Sequence, residues 1–208
     1  AREAIRATLA GLPFPTEPGV AAAVAGALPS GSLLYVASSM PIRDVALTLQ
    51  PTDRVIRVAA NRGANGIDGF ISSSLGAAVA WDGPVVALAG DLSALHDLTA
   101  LAAAARHGIP ITIVIVDNNG GGIFHFLPQT DFPDAFERHF GTPHDLDLVA
   151  AARSLGVHAD AVDDMETLQS VVSGTPTAPR VVVIRTDRWA NVEVHQAIQD
   201  AVAETLGR

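Results

Sequence analysis

The chain has 208 residues, 49% hydrophobic and 17% charged, enough for one substantial core. Its 13 basic against 22 acidic residues leave a net charge of -9, which argues against nucleic acid or an anionic membrane as the general partner. There is no cysteine, which excludes disulfides, thiolate chemistry and a zinc finger, and no apolar run approaches the ~18 residues of a membrane helix. A reducing cytoplasm is the expected location. The opening AREAIRATLA has neither the apolar core nor the cleavage site of a signal peptide. It lacks an initiating Met and starts in mid-pattern, as expected of a processed chain or a portion of a longer one.

Apolar runs and amphipathic stretches alternate. A lead-in segment and a first helix, near 17–27, fill residues 1–30. LLYVAS (33–38) and RVIRVA (54–59) read as strands, followed by a helix over 68–80. PVVALAG (84–90) and ITIVIVD (111–117) are the most apolar runs and read as central strands buried on both faces, with a helix near 96–106 between them. Gly108 suits the end of that helix. Helices near 146–154, 164–173 and 191–206 flank two more strands, VHADAV (157–162) and RVVVIRT (180–186), and Asp163 or Asp164 can cap the second of these helices. The alternation predicts one α/β domain over 1–208, a doubly wound, mainly parallel sheet with helices on both faces. Residues 118–145 break the rhythm with a long segment rich in Phe, Pro and His. Long loops in compact domains are usually functional, and the composition of 125–145 suggests a folded lid.

In such sheets ligands sit beyond the carboxyl ends of the strands. Two strand ends carry chemistry here. PVVALAG runs into Asp91, and ITIVIVD runs into Asn118 and Asn119, then Gly120, Gly121 and Gly122. Asp91 and Asn118 are 27 positions apart, close to one βαβ unit of ~30 residues. If the strands are neighbours, ~4.8 Å apart, a carboxylate and an amide oxygen meet at a distance that suits Mg²⁺, whose oxygen ligands lie at ~2.1 Å. The glycines let a main-chain carbonyl turn toward the ion and a phosphate approach the backbone. A helix starting after GDLS would offer N–H groups to an anion, and Ser93 a hydroxyl. Each motif alone is better explained by a cap or a turn; together, their spacing favours a Mg²⁺–diphosphate clamp. Other chemistries fit less well. Ser93, His96 and Asp97 crowd one turn without a G-x-S-x-G elbow, so a hydrolase triad is disfavoured. His125, His139 and His144 lack zinc-ligand spacing, and His144 reads as a loop or cap residue. Gly63, Gly66 and Gly69 do not have dinucleotide-fingerprint spacing.

A GD pair followed by NN resembles the cofactor motif of thiamine diphosphate enzymes, although Leu92 stands where the third residue is usually Gly. SSMPIRD (38–44), NRGANGIDG (61–69), GDLSALHDL and VDNNGGGIFHFLP (116–128) together resemble one family, the 2-succinyl-5-enolpyruvyl-6-hydroxy-3-cyclohexene-1-carboxylate synthases of menaquinone biosynthesis. The resemblance runs over about 30–205 and is to the diphosphate-binding domain alone, whose fold it therefore implies. It also implies an activity, the decarboxylation of 2-oxoglutarate and 1,4-addition of the resulting carbanion to isochorismate. The implied cofactors are thiamine diphosphate and Mg²⁺, with Mn²⁺ as a substitute. By the same resemblance Asp91, Asn118 and the Gly120 carbonyl would ligate the cation. Ser39, Met40, Gly90, Leu92, Ser93, Gly121 and Ile123 would lie along the cofactor. Ile67 would be the apolar wedge that bends it for catalysis. Arg43 and Arg62 would hold the substrate carboxylates, as guanidinium forks do well, beside Ser39. Phe124 and Leu127 would wall the reacting centre.

The Glu that such enzymes need at the aminopyrimidine ring comes, in this superfamily, from another domain. No Glu here reads as a strand-end residue; Glu137, Glu166 and Glu193 look like surface positions. The expected partners are therefore the missing N-terminal domains and a second subunit, in a homodimer or homotetramer, and the chain alone is expected to be inactive. Two other readings stay open: a different thiamine diphosphate decarboxylase or carboligase, and a non-catalytic Mg²⁺–nucleotide-binding module.

Overall fold

The computed structural model of the chain describes residues 1–61 and 65–207. The apolar runs form six strands: β1 (Leu33–Val36), β2 (Arg57–Ala60), β3 (Val85–Gly90), β4 (Thr112–Asp117), β5 (His158–Ala161) and β6 (Arg180–Arg185). They join one sheet in the order β2-β1-β3-β4-β6-β5, and every pairing between them is parallel. Successive side chains of a strand point to opposite faces, and both faces are covered. On one face Ala87, Ala89, Ile113, Ile115 and Val183 pack under helices α4 (Phe70–Ala80), α6 (Ala100–His107) and α8 (Leu148–Ser154), through Phe70, Ile71, Leu101, Ala104 and Leu148. On the other face Val86, Leu88, Val114, Val182 and Ile184 meet α2 (Glu17–Ala27), α3 (Met40–Thr48) and α9 (Met165–Ser173), through Val20, Val24, Val45 and Leu168. Burial on both faces is why β3 and β4 read as unbroken apolar runs rather than alternating ones.

The helix ends follow local chemistry. Asp164 accepts the Thr167 N–H at 2.7 Å and caps α9. Gly108 ends α6 in the left-handed conformation, at φ +59. The remaining helices are α1 (Arg2–Ala10), α5 (Asp91–His96), α7 (Pro133–Phe136) and α10 (Arg188–Thr205). Ile5 of α1 packs on Val194 and Ile198 of α10, a small third core.

Several expectations are corrected. The strand expected from residue 54 begins at Arg57, because Arg54 turns aside to the carbonyls of Gly26 and Leu28 at 2.8 and 2.5 Å. The helix expected over 96–106 is two helices, α5 and α6, and α5 begins at Asp91 rather than after Ser93. The break frees Asp97 to accept the Ser72 N–H at 2.6 Å near the start of α4. Helices α1 and α3 are additions to the expected set. Between Gly122 and Gly141 the chain is folded, as its composition suggested, into short turns of helix.

The chain leaves β1 toward α3 on one face of the sheet and leaves β3 toward α5 and α6 on the other. Neighbouring strands that part to opposite faces open a crevice at their carboxyl ends, which is where parallel sheets take ligands. No helix among the described residues is long and apolar enough to cross a membrane.

Candidate active site

A cleft of ≈ 750 Å³ opens at these strand ends. The ends of β3 and β4 also border it and are neighbours, with Gly90 paired to Val116, so Asp91 and Asn118 follow on adjacent strands. Ser39, Met40 and Arg43 line the cleft from the start of α3, and Ile67 from the turn before α4. Gly90, Asp91, Leu92 and Ser93 line it from the end of β3; Asn118, Gly120, Gly121, Ile123 and Phe124 line it from the end of β4. Leu127, 41% exposed, faces a neighbouring groove that shares Met40, Arg43, Ile123 and Phe124 with the cleft. Arg62 lies outside the described residues.

Asp91 is 2% exposed. Burial pushes its carboxyl above the usual range, while the N–H groups of Gly120 and Leu92 and the ring of His144 pull it back. Gly120 N–H donates to Oδ2 at 2.8 Å and Leu92 N–H to Oδ1 at 2.6 Å. His144 Nε2 stands 3.2 Å from the same Oδ2 and 3.6 Å from Oδ1 of Asp117. His144 is thus a bridge between two buried carboxylates, and not only the loop residue its sequence context implied.

Asn118 and Asn119 divide their work. Asn119, at φ 61, staples the chain to residues 144–145: its Oδ1 accepts the N–H groups of His144 and Asp145 at 3.0 and 2.8 Å. Asn118 Nδ2 donates to Glu17 Oε1 at 2.7 Å, and its Oδ1 is buried with no hydrogen-bond partner. Buried polar atoms are nearly always paired. An orphaned amide oxygen beside a buried carboxylate is a donor set of hard oxygens that fits Mg²⁺ or Mn²⁺. The Gly120 carbonyl accepts the Gly122 N–H at 3.0 Å and keeps a second lone pair.

The glycines have a further reason. A Cβ on Gly120 would stand 2.0 Å from the Gly141 carbonyl, and one on Gly121 would stand 2.2 Å from the Phe140 carbonyl. Gly121 N–H donates to Gly141 O at 2.7 Å. The run therefore seats the 137–141 turn directly on the end of β4. That turn is held by an aromatic cluster: the His125 ring lies edge-on to Phe136 and Trp189, at 4.7 and 4.6 Å. Arg188 pairs with Glu137 at 3.2 Å. The segment thus forms a packed wall beside the cleft, ending in Phe124, which meets Phe140 at 5.5 Å.

Ser39 takes φ 73, a conformation costly for a residue with a Cβ and common at functional sites. Its carbonyl accepts the Arg43 guanidinium at 2.6 Å, so the exposed Arg43 is folded back over the rim of the cleft. His96 pairs with Asp68 at 3.1 Å and Asp97 with Ser72, so neither engages Ser93 and no hydrolase triad forms.

Glu17 is the residue that sequence reasoning missed. No glutamate is expected at the strand ends, yet Glu17 is 4% exposed and lines the cleft from the first turn of α2. Burial pushes its carboxyl up to about 7, against the hydrogen bond from Asn118. The only signal is its place beside Thr16 and Pro18, which reads as an ordinary helix start.

The family described as "Thiamine pyrophosphate enzyme, C-terminal TPP binding domain" matches residues 49–186. Curated relatives named 2-succinyl-5-enolpyruvyl-6-hydroxy-3-cyclohexene-1-carboxylate synthase are 45% identical in Myxococcus xanthus, over 92% of this chain and 33% of the relative, and 44% identical in Geobacillus kaustophilus, over 89% and 32%. The Listeria monocytogenes relative of that name is 38% identical over 99% of this chain and 36% of its own length. The chain therefore spans about a third of the curated relatives it matches. Among solved structures, a thiamine diphosphate-dependent 4-hydroxybenzoylformate decarboxylase of Rhodococcus jostii aligns with TM-score 0.67 and 24% identity, over 83% of this chain and 32% of its own. A putative thiamin diphosphate-dependent enzyme from Mycobacterium smegmatis aligns with TM-score 0.62 and 20% identity, over the same shares. These two carry the fold alone. The strand-end carboxylate and amide, the glycine run behind them and the extent of the family match agree, and the chain belongs to the thiamine pyrophosphate enzymes, as their C-terminal cofactor-binding domain.

Proposed function

We propose that this chain is the single diphosphate-binding domain of a cytoplasmic enzyme that decarboxylates 2-oxoglutarate and joins the remaining four-carbon unit to isochorismate. The observation that carries the cofactor part is the unpartnered Asn118 oxygen beside the buried Asp91 carboxylate. The product rests on the name of the curated relatives, up to 45% identical to this chain, and the two substrates on the family resemblance of its motifs. Asp91, Asn118 and the Gly120 carbonyl would hold Mg²⁺ or Mn²⁺ and, through it, the diphosphate. When bound, thiamine diphosphate supplies the electron sink for breaking and making a carbon–carbon bond beside a carbonyl. Ser39, Met40, Gly90, Leu92, Ser93, Gly121 and Ile123 would position the cofactor, and Ile67 would press on it as an apolar wedge.

The chain's further tasks are to bind carboxylates and exclude water. Arg43 at the rim, with Arg62, supplies guanidinium groups that pair with the carboxylates of both substrates. Phe124, backed by the aromatic cluster, and Leu127 shield the reacting centre. Sharing only about a third of its relatives' length, the chain holds part of the site. The N-terminal domains and a second subunit, in a homodimer or homotetramer, complete it, and the isolated chain has no turnover.

The test is a carboligation assay on the complete enzyme, with 2-oxoglutarate or pyruvate as donor and isochorismate as acceptor. 2-Oxoglutarate is expected to be the donor used. Arg43→Ala should raise KM for a carboxylate substrate by about tenfold or more, the loss of one charge-assisted hydrogen bond. Equal use of pyruvate, with Arg43→Ala unchanged in KM, would overturn the substrate assignment.

A further inference from the structure

Glu17 is a buried carboxyl that the proposed function leaves unused. It reaches from the first turn of α2 to the end of β4, where Oε1 accepts Asn118 Nδ2 at 2.7 Å across 101 residues of sequence. Thr186, just past β6, donates its hydroxyl to the same oxygen at 3.4 Å. Asp44, His195 and Asp91 are the other ionisable groups whose charge it feels. A carboxyl group 4% exposed is expensive to bury and is kept where its hydrogen bonds are needed.

The chemistry of the amide gives it a task. An asparagine side chain offers donors on one side and an acceptor on the other, and rotation by half a turn exchanges them. A carboxylate, the form of Glu17 that a bound cation nearby favours, only accepts. Paired with Glu17, Asn118 must present its NH₂ there, and its oxygen is left unpaired. We infer that Glu17 is a positioning residue for the cation: it locks the Asn118 amide so that the carbonyl oxygen, and not the NH₂, is available as a metal ligand. This rests on the assignment of Asn118 as a ligand made above. Groups that orient ligands in this way alter metal affinity by about 10- to 100-fold when removed.

The test is direct Mn²⁺ binding to the complete enzyme with thiamine diphosphate present, read from the paramagnetic resonance signal of free Mn²⁺, with near-ultraviolet dichroism to check the fold. Glu17→Gln is nearly isosteric, but its amide can also donate, so it no longer dictates how Asn118 points. It should weaken Mn²⁺ binding by about tenfold or more. In an Asn118→Asp background both side-chain positions are oxygens, and Glu17 now opposes a like charge. There no amide is left to orient, so E17Q should change Mn²⁺ binding by less than about threefold, a loss of the effect that a merely structural role would not give. The pair N118D/E17Q also keeps a hydrogen bond between the two positions, so it remains informative if Glu17→Gln alone folds poorly. Weakening by the same factor in both backgrounds, within about twofold, would overturn the inference. So would an unchanged affinity in Glu17→Gln while Asn118→Ala loses Mn²⁺. If Asn118→Ala itself binds Mn²⁺ normally, the ligand assignment fails and takes this inference with it.

Discussion

Gly120 donates its backbone N–H to Oδ2 of Asp91 at 2.8 Å, tying the end of β4 to the end of β3. The bond depends on a backbone that only glycine adopts readily, at φ +139. It also depends on the absence of a Cβ, which would meet the Gly141 carbonyl at 2.0 Å. Gly120→Ala should therefore destabilise the protein by about 1–3 kcal/mol and lift the 137–141 turn off β4. Gly76, inside α4, has open space around it: a methyl group there would meet nothing within 4 Å, so Gly76→Ala should instead stabilise by up to about 1 kcal/mol. Urea unfolding of the two variants checks both signs; a harmless Gly120→Ala would mean that the turn yields easily.

The wall beside the cleft should loosen in acid. His125 is buried between Phe136 and Trp189, with Arg188 and Glu137 nearby. Burial lowers its pKa below the ordinary 6.5, and Arg188 adds to this. A base whose folded value is depressed contributes stability that is present above 6.5 and is lost as pH falls through the folded value. Hydrogen exchange over 122–141 should accelerate as pH drops from 6.5 through that window, after correction for intrinsic rates. His125→Leu should remove the effect. Protection that is independent of pH in the unaltered protein would contradict the reading.

The opposite pH dependence is expected where α3 meets α10. His195 Nε2 lies 2.8 Å from Asp44 Oδ1, both buried. Burial alone would lower the imidazole's pKa, but the Asp44 carboxylate overcomes this and raises it above 6.5. The pair's stabilisation is complete below 6.5 and is lost as pH rises through the raised folded value. Unfolding midpoints measured across that interval should fall with pH, and fall less in His195→Gln. An equal slope in both proteins would assign the titration to other groups.

Much of this is legible in the sequence, and for definite reasons. Val85–Gly90 and Thr112–Asp117 lie at the centre of the sheet, where burial on both faces demands uninterrupted apolar residues. Their carboxyl ends place Asp91 and Asn118 side by side through spacing alone. What escapes depends on contacts that spacing does not encode. Glu17 meets Asn118 across 101 positions, and nothing local distinguishes it from a helix-start glutamate. Helix α3 hides because MPIRDVALT carries a proline in its first turn and buries the polar Asp44 and Thr48. The glycine run reads as room for a ligand, and only the packed turn shows that Gly120 and Gly121 also make room for carbonyls about 20 residues further on.

The central claim is that the cleft binds thiamine diphosphate through a divalent cation held by Asp91 and Asn118. The most direct measurement is the thermal midpoint of the complete enzyme with thiamine diphosphate plus Mg²⁺, with each alone, and with Mg²⁺–ATP. A ligand at about 100 times its Kd adds about 2.7 kcal/mol to the folded state. The account predicts a rise that needs thiamine diphosphate and Mg²⁺ together and disappears in Asp91→Ala. A rise with Mg²⁺–ATP instead, or one that thiamine diphosphate produces equally in Asp91→Ala, would contradict it.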